Sequence, residues 1–242
     1  MSLSQKWIDT VEKGIDDVRW DQYDGSIQKE VEAYSSRLNK TPNFLSPSWL
    51  YIKAMLWTES GGPDNPAWTT RPFQIGNKGD PAYDVLKNEK EGSSLIMSAT
   101  LKGDIKADKI NTPDVNLRAG IAYLYTRMAT YDHKSIRDTK DTAKHTYAVQ
   151  ANDNFERIAK KIGTTVTELR QSNPSVDPTK LQIGQKLDYY KAEIRLVITG
   201  WRKFTTEKMA ERYNGGGDVN YKAKLDYLIG TVFPKLKRNK TK

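Results

Sequence analysis

The sequence predicts an α+β fold that is mostly α-helical and is interrupted by a small βααβ unit. Over most of the chain, apolar residues recur at the 3.6-residue spacing of a helix. Between residues 145 and 191 the pattern changes to a short strand, two short helices and a second short strand. After this unit the helical spacing returns. The two ends of such a unit lie close together, a geometry that permits insertion into another domain.

The segment before the βααβ unit is predicted to contain three main helices, over residues 4–38, 46–60 and 112–128. Ser46-Pro47 and Thr112-Pro113 each have a capping side chain followed by proline, which favours the start of a helix. Residues 61–80 are rich in Gly, Pro, Asn and Asp, which predicts a loop or short hairpin with its one extended piece at 73–75. A further helix is predicted near 83–87, and the charged stretch 132–144 is predicted to be a linker.

The βααβ unit begins with a strand around Tyr147 and continues with a helix over 155–162. A capping box, Thr165 to Glu168, opens the second helix, and residues 181–187 are predicted to be the second strand. Helical patterns follow at 194–204, 209–213 and 221–233. The predicted domains are therefore 1–144, first segment of the main domain; 145–191, the insertion; and 192–242, second segment of the main domain.

The composition excludes several classes of protein. Of 242 residues, 37% are hydrophobic and 29% charged, no apolar run is long enough to span a bilayer, and there is no cysteine for disulfides or thiolate metal sites. The two histidines have no neighbours at the spacing of metal ligands, so no metal or cofactor is predicted. The net charge of +9 forms no stripe with interleaved aromatic residues. The charge agrees with an anionic polymer as partner but does not say which polymer, and without such a stripe no nucleic acid is predicted.

A glutamate lies where the apolar stripe of the helix 46–60 ends. Trp49, Ile52 and Leu56 recur along one face, Glu59 continues that face, and two glycines follow as a helix stop. Burial and the negative end of the helix dipole would both raise the pKa of Glu59, as suits a general acid. The alternative is a glutamate at a frayed helix end that pairs with a lysine.

The βααβ unit carries motifs that resemble those of a LysM domain. They are YAV at 147–149, NDNF at 152–155, IA at 158–159, EL at 168–169, NP at 173–174 and LQIGQKL at 181–187. LysM domains bind N-acetylglucosamine chains of peptidoglycan or chitin, and the resemblance implies a glycan-binding role for Asp153, Asn154, Asn173 and Pro174. The first loop departs from the usual Gly-Asp-Thr, and Asn152 is predicted to adopt a left-handed turn conformation. The alternative is a LysM-like fold that no longer binds glycan.

The surrounding chain resembles the lytic transglycosylase and goose-type lysozyme group in four stretches that occur in the family's order. They are Glu59-Ser60, PFQI at 72–75, NLRAGIAYL at 116–124 and AERYNGGG at 210–217. The second stretch departs from the family's Gly-Leu-Met-Gln-Ile. The resemblance implies a lysozyme-like helical catalytic domain in which Glu59 is the single catalytic acid/base.

The implied reaction is cleavage of the MurNAc–GlcNAc β-1,4 bond of peptidoglycan. In a lytic transglycosylase the sugar's own 6-hydroxyl completes the reaction, with Glu59 acting as acid and then as base. A muramidase would need a second carboxylate, for which Asp64 is the candidate. The third alternative is a non-catalytic peptidoglycan-binding protein. The candidate substrate-binding residues are Ser60, which could instead cap the next turn, together with Gln74, Tyr213, Asn214 and the sugar-stacking Trp68.

The predicted partner is the glycan strand of peptidoglycan, without membrane insertion. The first residues lack the basic-then-apolar layout of a signal peptide. We therefore expect action in the periplasm or cell wall after non-classical export, by a secretion system or with a phage particle. A secreted antibacterial effector of this kind would need an immunity protein in the cell that produces it.

Overall fold

The computed structural model describes residues 2–236, which form two compact units. The first comprises the described residues up to Thr130 and from Ile198 onward, and the second is Tyr131–Val197. The first unit is helical. Its helices are α1 (Gln5–Glu12), α2 (Asp24–Leu38), α3 (Trp49–Ser60), α4 (Pro66–Thr70), α5 (Pro81–Lys87), α6 (Ser93–Ile96), α7 (Ala99–Lys106) and α8 (Pro113–Met128).

The second unit holds most of the β-structure, and the helical pattern resumes after it. The elements are β1 (Ala129–Arg137), β2 (His145–Ala148), α9 (Phe155–Ile162), α10 (Val166–Ser172), β3 (Lys186–Tyr189), β4 (Ala192–Trp201), α11 (Thr206–Met209) and α12 (Tyr221–Tyr227). Two π-helical segments, Ala210–Asn214 and Leu228–Val232, continue α11 and α12 respectively. Short 3₁₀ turns lie at Lys13–Ile15, Val18–Asp21, Lys109–Asn111 and Phe233–Lys235.

The predicted continuous helix over residues 4–38 is wrong, because the chain leaves the helical conformation between α1 and α2. Asp17 has an extended backbone, and its carboxylate accepts the backbone N–H of Arg19 at 3.0 Å. This is the local bonding that makes aspartate a helix-capping residue rather than a helix-interior one. Val18, placed by its spacing on the apolar face, is 65% exposed.

Helix α3 lies at the centre of the first unit. It begins at Trp49 with Ser48 as its N-cap, so the predicted cap at Ser46 is wrong by two residues. Residues 52–57 are all buried, so the helix is enclosed on nearly every side rather than along one stripe. Lys53 is fully buried among them, and its Nζ contacts one carboxylate oxygen of Asp21 and one of Asp24, each at 2.7 Å.

Helix α8 confirms its predicted start and packs closely on the turn at 73–75. Thr112 is the N-cap with proline next, and a Cβ added to Gly120 would lie 2.3 Å from the ring of Phe73. Asn116 accepts the backbone N–H of Phe73 at 2.9 Å and donates to the carbonyl of Ile75 at 2.7 Å. Gln74 between them has a left-handed backbone with φ of 58°. The stretch 73–75 is therefore a turn held by α8, and the prediction of an extended piece is wrong.

The second unit has the predicted βααβ order. β2 pairs with β3 in antiparallel fashion, with Tyr147 opposite Leu187. The core of this unit is formed by Val149, Phe155, Ile158, Ala159, Leu169, Leu187 and Tyr189. The second strand begins at Lys186 rather than at Leu181, because Gln185 donates its N–H to the carbonyl of Gln182 and closes a turn. Ile183, predicted as a strand residue, is 76% exposed in that turn.

Two other predictions fail together, because the linker 132–144 and the helix 194–204 contain the paired strands β1 and β4. Arg202 donates its backbone N–H to Met128 near one end of the pair, and Asp138 donates to Lys191 near the other, so the strands run antiparallel. β4 contains Ile194, Val197, Ile198 and Thr199, and β-branched side chains favour strands. The boundaries of the two compact units fall within these strands, after Thr130 in β1 and after Val197 in β4.

Candidate functional site

Glu59 lies in the last turn of α3, where the chain is forced to turn away. Gly61 is the C-cap in the left-handed conformation, with φ of 68°, and its N–H donates to the carbonyl of Trp57 at 3.1 Å. The next residue, Gly62, has φ of 94° and no room for a side chain, because a Cβ there would lie 2.2 Å from the ring of Trp20. The two glycines therefore end the helix at Ser60, as predicted, and leave Glu59 partly exposed at that end.

The carboxylate of Glu59 is bound by Tyr221, 162 residues further along the chain. The Tyr221 hydroxyl donates to Oε1 at 2.7 Å from the first turn of α12. Burial raises the pKa of Glu59 to about 7, and the Tyr221 hydrogen bond opposes that rise. Glu59 therefore holds comparable populations of acid and carboxylate near neutral pH, as a group that both donates and accepts a proton requires.

Two further carboxylates act on Glu59 through their charge, and both already have partners. Asp218 pairs with Lys224 at 2.7 Å and accepts the N–H of Asn220. Asp80 is the N-cap of α5, and its two oxygens accept the N–H groups of Ala82 and Gly76. The negative charges of Asp218 and Asp80 raise the pKa of Glu59, whereas the charge of Lys224 lowers it.

Tyr213, a candidate substrate-binding residue, lies beside Glu59. Burial raises the pKa of Tyr213 well above its usual value, and the charge of Glu59 adds to the rise. Its ring faces that of Tyr221 with centroids 6.4 Å apart, and its hydroxyl donates to the carbonyl of Phe73 at 3.4 Å. Tyr213 and Tyr221 therefore form an aromatic wall next to the carboxylate.

Gln74 and Asn214 belong to segments that contact this wall. Gln74 follows Phe73, whose carbonyl accepts the Tyr213 hydroxyl, and it lies in the turn that α8 holds in place. Asn214 ends the π-helical segment that carries Tyr213, and its side-chain amide donates to the carbonyl of Asp218 at 3.2 Å. Both side chains are partly exposed. Their substrate-binding role stays a prediction.

Trp68 is a core residue, which corrects its prediction as a sugar-stacking residue. Its side chain is only 1% exposed, its ring packs on those of Trp20 and Tyr23, and its indole N–H donates to Gln22 at 2.8 Å. A sugar needs an open aromatic face, and this ring has none.

Ser60 and Asp64 also differ from their predicted roles. Ser60 is fully buried, and its hydroxyl donates to the carbonyl of Leu56 at 2.6 Å, so it is neither open to a substrate nor a cap of the next turn. The Asp64 side chain is 68% exposed and pairs with Arg19 at 3.1 Å. The structure therefore directs the Asp64 carboxylate to Arg19 and not to Glu59.

The candidate glycan-binding residues of the βααβ unit stabilise its loops. Asp153 accepts the Tyr147 hydroxyl and the Gln150 N–H, each at 2.8 Å, and Asn154 caps α9. Asn173 joins the end of α10 to β3, because its amide exchanges two hydrogen bonds with the backbone of Asp188. Pro174 is exposed. Asn152 has φ of 63°, which confirms the predicted left-handed turn.

Comparison with known proteins identifies this unit. The family model of the LysM domain matches residues 147–188. Residues 147–188 are a LysM domain. LysM domains bind the glycan strands of peptidoglycan, so this domain indicates a protein associated with the cell wall. Searches of the curated proteins and of the solved structures found no match to the chain.

Two general features of the described chain bear on function. No helix within residues 2–236 is both long and apolar enough to cross a membrane. Over the same residues, no group of three or more His, Cys, Asp or Glu side chains is arranged to hold a metal ion.

Proposed function

We propose that this protein is a peptidoglycan-cleaving enzyme of the lytic transglycosylase type, with Glu59 as its general acid and base. The observation that carries the proposal is the half-buried Glu59, with a pKa of about 7, hydrogen-bonded by Tyr221 beside an aromatic wall. The bond cleaved is the MurNAc–GlcNAc β-1,4 bond, and the LysM domain holds the enzyme on its polymer. Such tethering raises the local substrate concentration, so each contact can be weak.

The chemistry uses one carboxyl group twice. Protonated Glu59 gives its proton to the glycosidic oxygen, so that the bond from C1 of MurNAc to that oxygen breaks and GlcNAc leaves. The resulting carboxylate takes the proton of the MurNAc 6-hydroxyl as its oxygen bonds to C1 and forms a 1,6-anhydro ring. Glu59 ends protonated as it began, and no water is consumed. Because Tyr221 donates to Oε1, we assign the transferred proton to Oε2.

The surrounding carboxylates favour this reaction over hydrolysis. A muramidase uses a second carboxylate to activate water or to stabilise the oxocarbenium-like transition state. Asp64 faces Arg19, Asp80 caps α5, and Asp218 pairs with Lys224. Each has a partner other than a catalytic water, whereas the intramolecular reaction requires Glu59 alone. The proposed place of action is the periplasm or cell wall, where this polymer lies, and a delivered effector with an immunity partner stays a hypothesis.

Mass spectrometry of purified peptidoglycan digested by the protein tests the proposal, with Glu59→Gln and Asp64→Asn alongside. We expect anhydro-muropeptides from the wild type and from Asp64→Asn, and none from Glu59→Gln. Reducing ends that vanish with Asp64→Asn would instead identify a muramidase. No fragments from the wild type, with binding to insoluble peptidoglycan retained, would identify a non-catalytic wall-binding protein and overturn the proposal.

A further inference from the structure

A row of tyrosine rings leads away from Glu59 and ends at an arginine. Tyr221 binds the carboxylate, its ring faces Tyr213, and Tyr213 meets Tyr123 edge-on with centroids 5.4 Å apart. The guanidinium of Arg127 lies 5.9 Å from the centroid of the Tyr123 ring. The row therefore joins the candidate site to a positively charged position on α8.

A second arginine, Arg212, lies at this end of the row. It precedes Tyr213 and is half-buried, and within the described residues its guanidinium forms no ion pair. The carboxylate of the adjacent, exposed Glu211 pairs with Lys208, which lowers its pKa, and the charge of Arg212 contributes to this lowering. The Nε of Arg212 is shielded from solvent and has no hydrogen-bond partner. A buried donor without a hydrogen-bond partner is energetically unfavourable. The Arg212 carbonyl accepts the Nε–H of Arg127 at 3.0 Å, so the two arginines are neighbours.

Arg127 forms an ion pair with Glu91, a glutamate that another carboxylate could replace. Its Nη1 pairs with Glu91, whose side chain is 48% exposed, whereas that of Arg127 is 28% exposed. Glu91 has a left-handed backbone with φ of 52°, as does Glu89 two residues before it with φ of 50°. Left-handed conformations of residues other than glycine store strain, which is concentrated at ligand-binding and switching segments. Because the Glu91 side chain is about half exposed, its replacement by another carboxylate would not disturb the packed core.

We propose that Arg212 and Arg127 form a subsite for a carboxylate of the glycan substrate, with Glu91 as the counter-ion that this carboxylate replaces. The inference rests on the proposed function and adds to it the residues that would recognise the carboxylates of that glycan, which neutral chitin chains lack. Guanidinium groups bind carboxylates through paired hydrogen bonds, which gives geometric specificity as well as energy. The carboxylate comes from the lactyl group of muramic acid or from its peptide.

A nuclear magnetic resonance titration observes this subsite directly. The full chain carrying Glu59→Gln, which cannot turn over substrate, is titrated with three probes while the arginine Nε signals are followed. The signal that Arg212→Gln removes identifies Arg212. We expect this signal to shift with a disaccharide–tetrapeptide fragment and to stay in place with neutral chitotetraose. The third probe is the GlcNAc–MurNAc disaccharide, whose lactyl carboxylate is free. If this disaccharide also shifts the signal, the carboxylate bound is that of the lactyl group. If only the disaccharide–tetrapeptide shifts it, the carboxylate bound belongs to the peptide.

The same titration also tests the role of Glu91 as the counter-ion. Glu91→Gln removes a competitor, so the disaccharide–tetrapeptide should bind the subsite at least about threefold more tightly. Arg19→Gln, an exposed arginine paired with Asp17 and Asp64, is the matched control and should change nothing. Equal shifts with chitotetraose, or no shift with any carboxylated probe, would overturn the subsite. Unchanged or weaker binding in Glu91→Gln would overturn the exchange.

Kinetics separate this proposal from the proposed function. In a chain that releases anhydro-muropeptides, Arg212→Gln should raise KM about tenfold with little change in kcat, since the proposed subsite binds a substituent of the glycan and not the reacting atoms. An unchanged KM in an active enzyme refutes the subsite while the proposed function stands. An inactive wild-type chain refutes the proposed function, and the titration still decides whether the arginines bind carboxylates.

Discussion

Helix α3 carries a buried lysine and a half-buried glutamate whose surroundings differ. Lys53 is fully enclosed, but Asp21 and Asp24 each contact its ammonium at 2.7 Å, and the ring of Trp57 lies 5.3 Å away. Among the described residues no opposing charge is in ion-pair contact with Glu59, and a neutral hydroxyl is its hydrogen-bond partner. A paired buried charge serves the fold, whereas a carboxyl left near its midpoint at neutral pH is typical of catalytic sites.

The raised pKa of Glu59 makes the stability of the wild type depend on pH in a defined window. Folding raises this pKa from 4.5 to about 7, so the folded state binds more protons between these values. The contribution of Glu59 to stability is therefore complete below pH 4.5 and is lost as the pH rises to about 7. We expect the free energy of unfolding of the wild type to fall by about 3 kcal/mol over this window relative to Glu59→Gln.

Urea unfolding of both proteins at pH 4.5, 6 and 8 measures this difference. Glu156→Gln, which changes an exposed glutamate in the first turn of α9, is the control and should remain parallel to the wild type. A constant difference between wild type and Glu59→Gln over this range would mean that the Glu59 carboxyl has an ordinary pKa. The general-acid role would then lose its electrostatic basis.

The packing of α8 against the turn at 73–75 leads to a prediction at the scale of elements. Gly120→Ala should destabilise the protein by about 1–3 kcal/mol, because the new methyl group overlaps the buried Phe73 ring. This loss outweighs the gain of up to about 1 kcal/mol that alanine brings to a helix. Gly103→Ala in α7 is the matched control, since nothing lies within 4 Å of its added Cβ, and it should stabilise. Chemical denaturation that gives both variants the same sign would contradict the predicted clash.

The elements that the sequence predicted are those whose signals are local. The start of α8 and the order β2, α9, α10, β3 follow from caps, breakers and short apolar patterns close together in the chain. The strands β1 and β4 were missed because each is paired only with the other, far away in the chain. Ile194, Val197, Ile198 and Trp201 happen to follow helical spacing, and that coincidence outweighed the β-branched composition of the segment.

The same division between local and distant signals applies to the candidate site. Glu59 was found because its helix and its two glycines lie within a few residues of it. Tyr221 was missed because the contact that gives it a role spans 162 residues, and its own segment shows only a helical pattern. Trp68 was misplaced because a polar loop sequence does not reveal that its aromatic residue packs inward on Trp20 and Tyr23.

For the molecule as a whole, the chain leaves and re-enters the first unit through adjacent residues. The hydroxyls of Thr130 and Thr199 are 3.2 Å apart, next to the two points where the compact units divide. Deletion of residues 131–197, with a short glycine-containing turn between Thr130 and Ile198, should therefore leave a folded protein. A hairpin turn can join two antiparallel strands at this separation.

We expect the shortened chain to unfold in one cooperative transition and to bind insoluble peptidoglycan more weakly than the full chain, because it lacks the LysM domain. The complementary chain, residues 131–197, should fold alone and be retained in the same sedimentation assay. Circular dichroism during thermal unfolding measures the first property. A shortened chain without a cooperative transition would show that the two units depend on each other for folding.

The antiparallel pair of β1 and β4 also has a consequence for inheritance. Because the two ends of residues 131–197 meet at one place in the fold, insertion or deletion of this single contiguous stretch of the gene is enough to add or remove the LysM domain, and exchange of the stretch replaces it. The length of the stretch is free to change as long as its two ends still meet between Thr130 and Ile198. Relatives of this protein could therefore exchange their means of attachment to different walls while retaining an unaltered set of helices around Glu59.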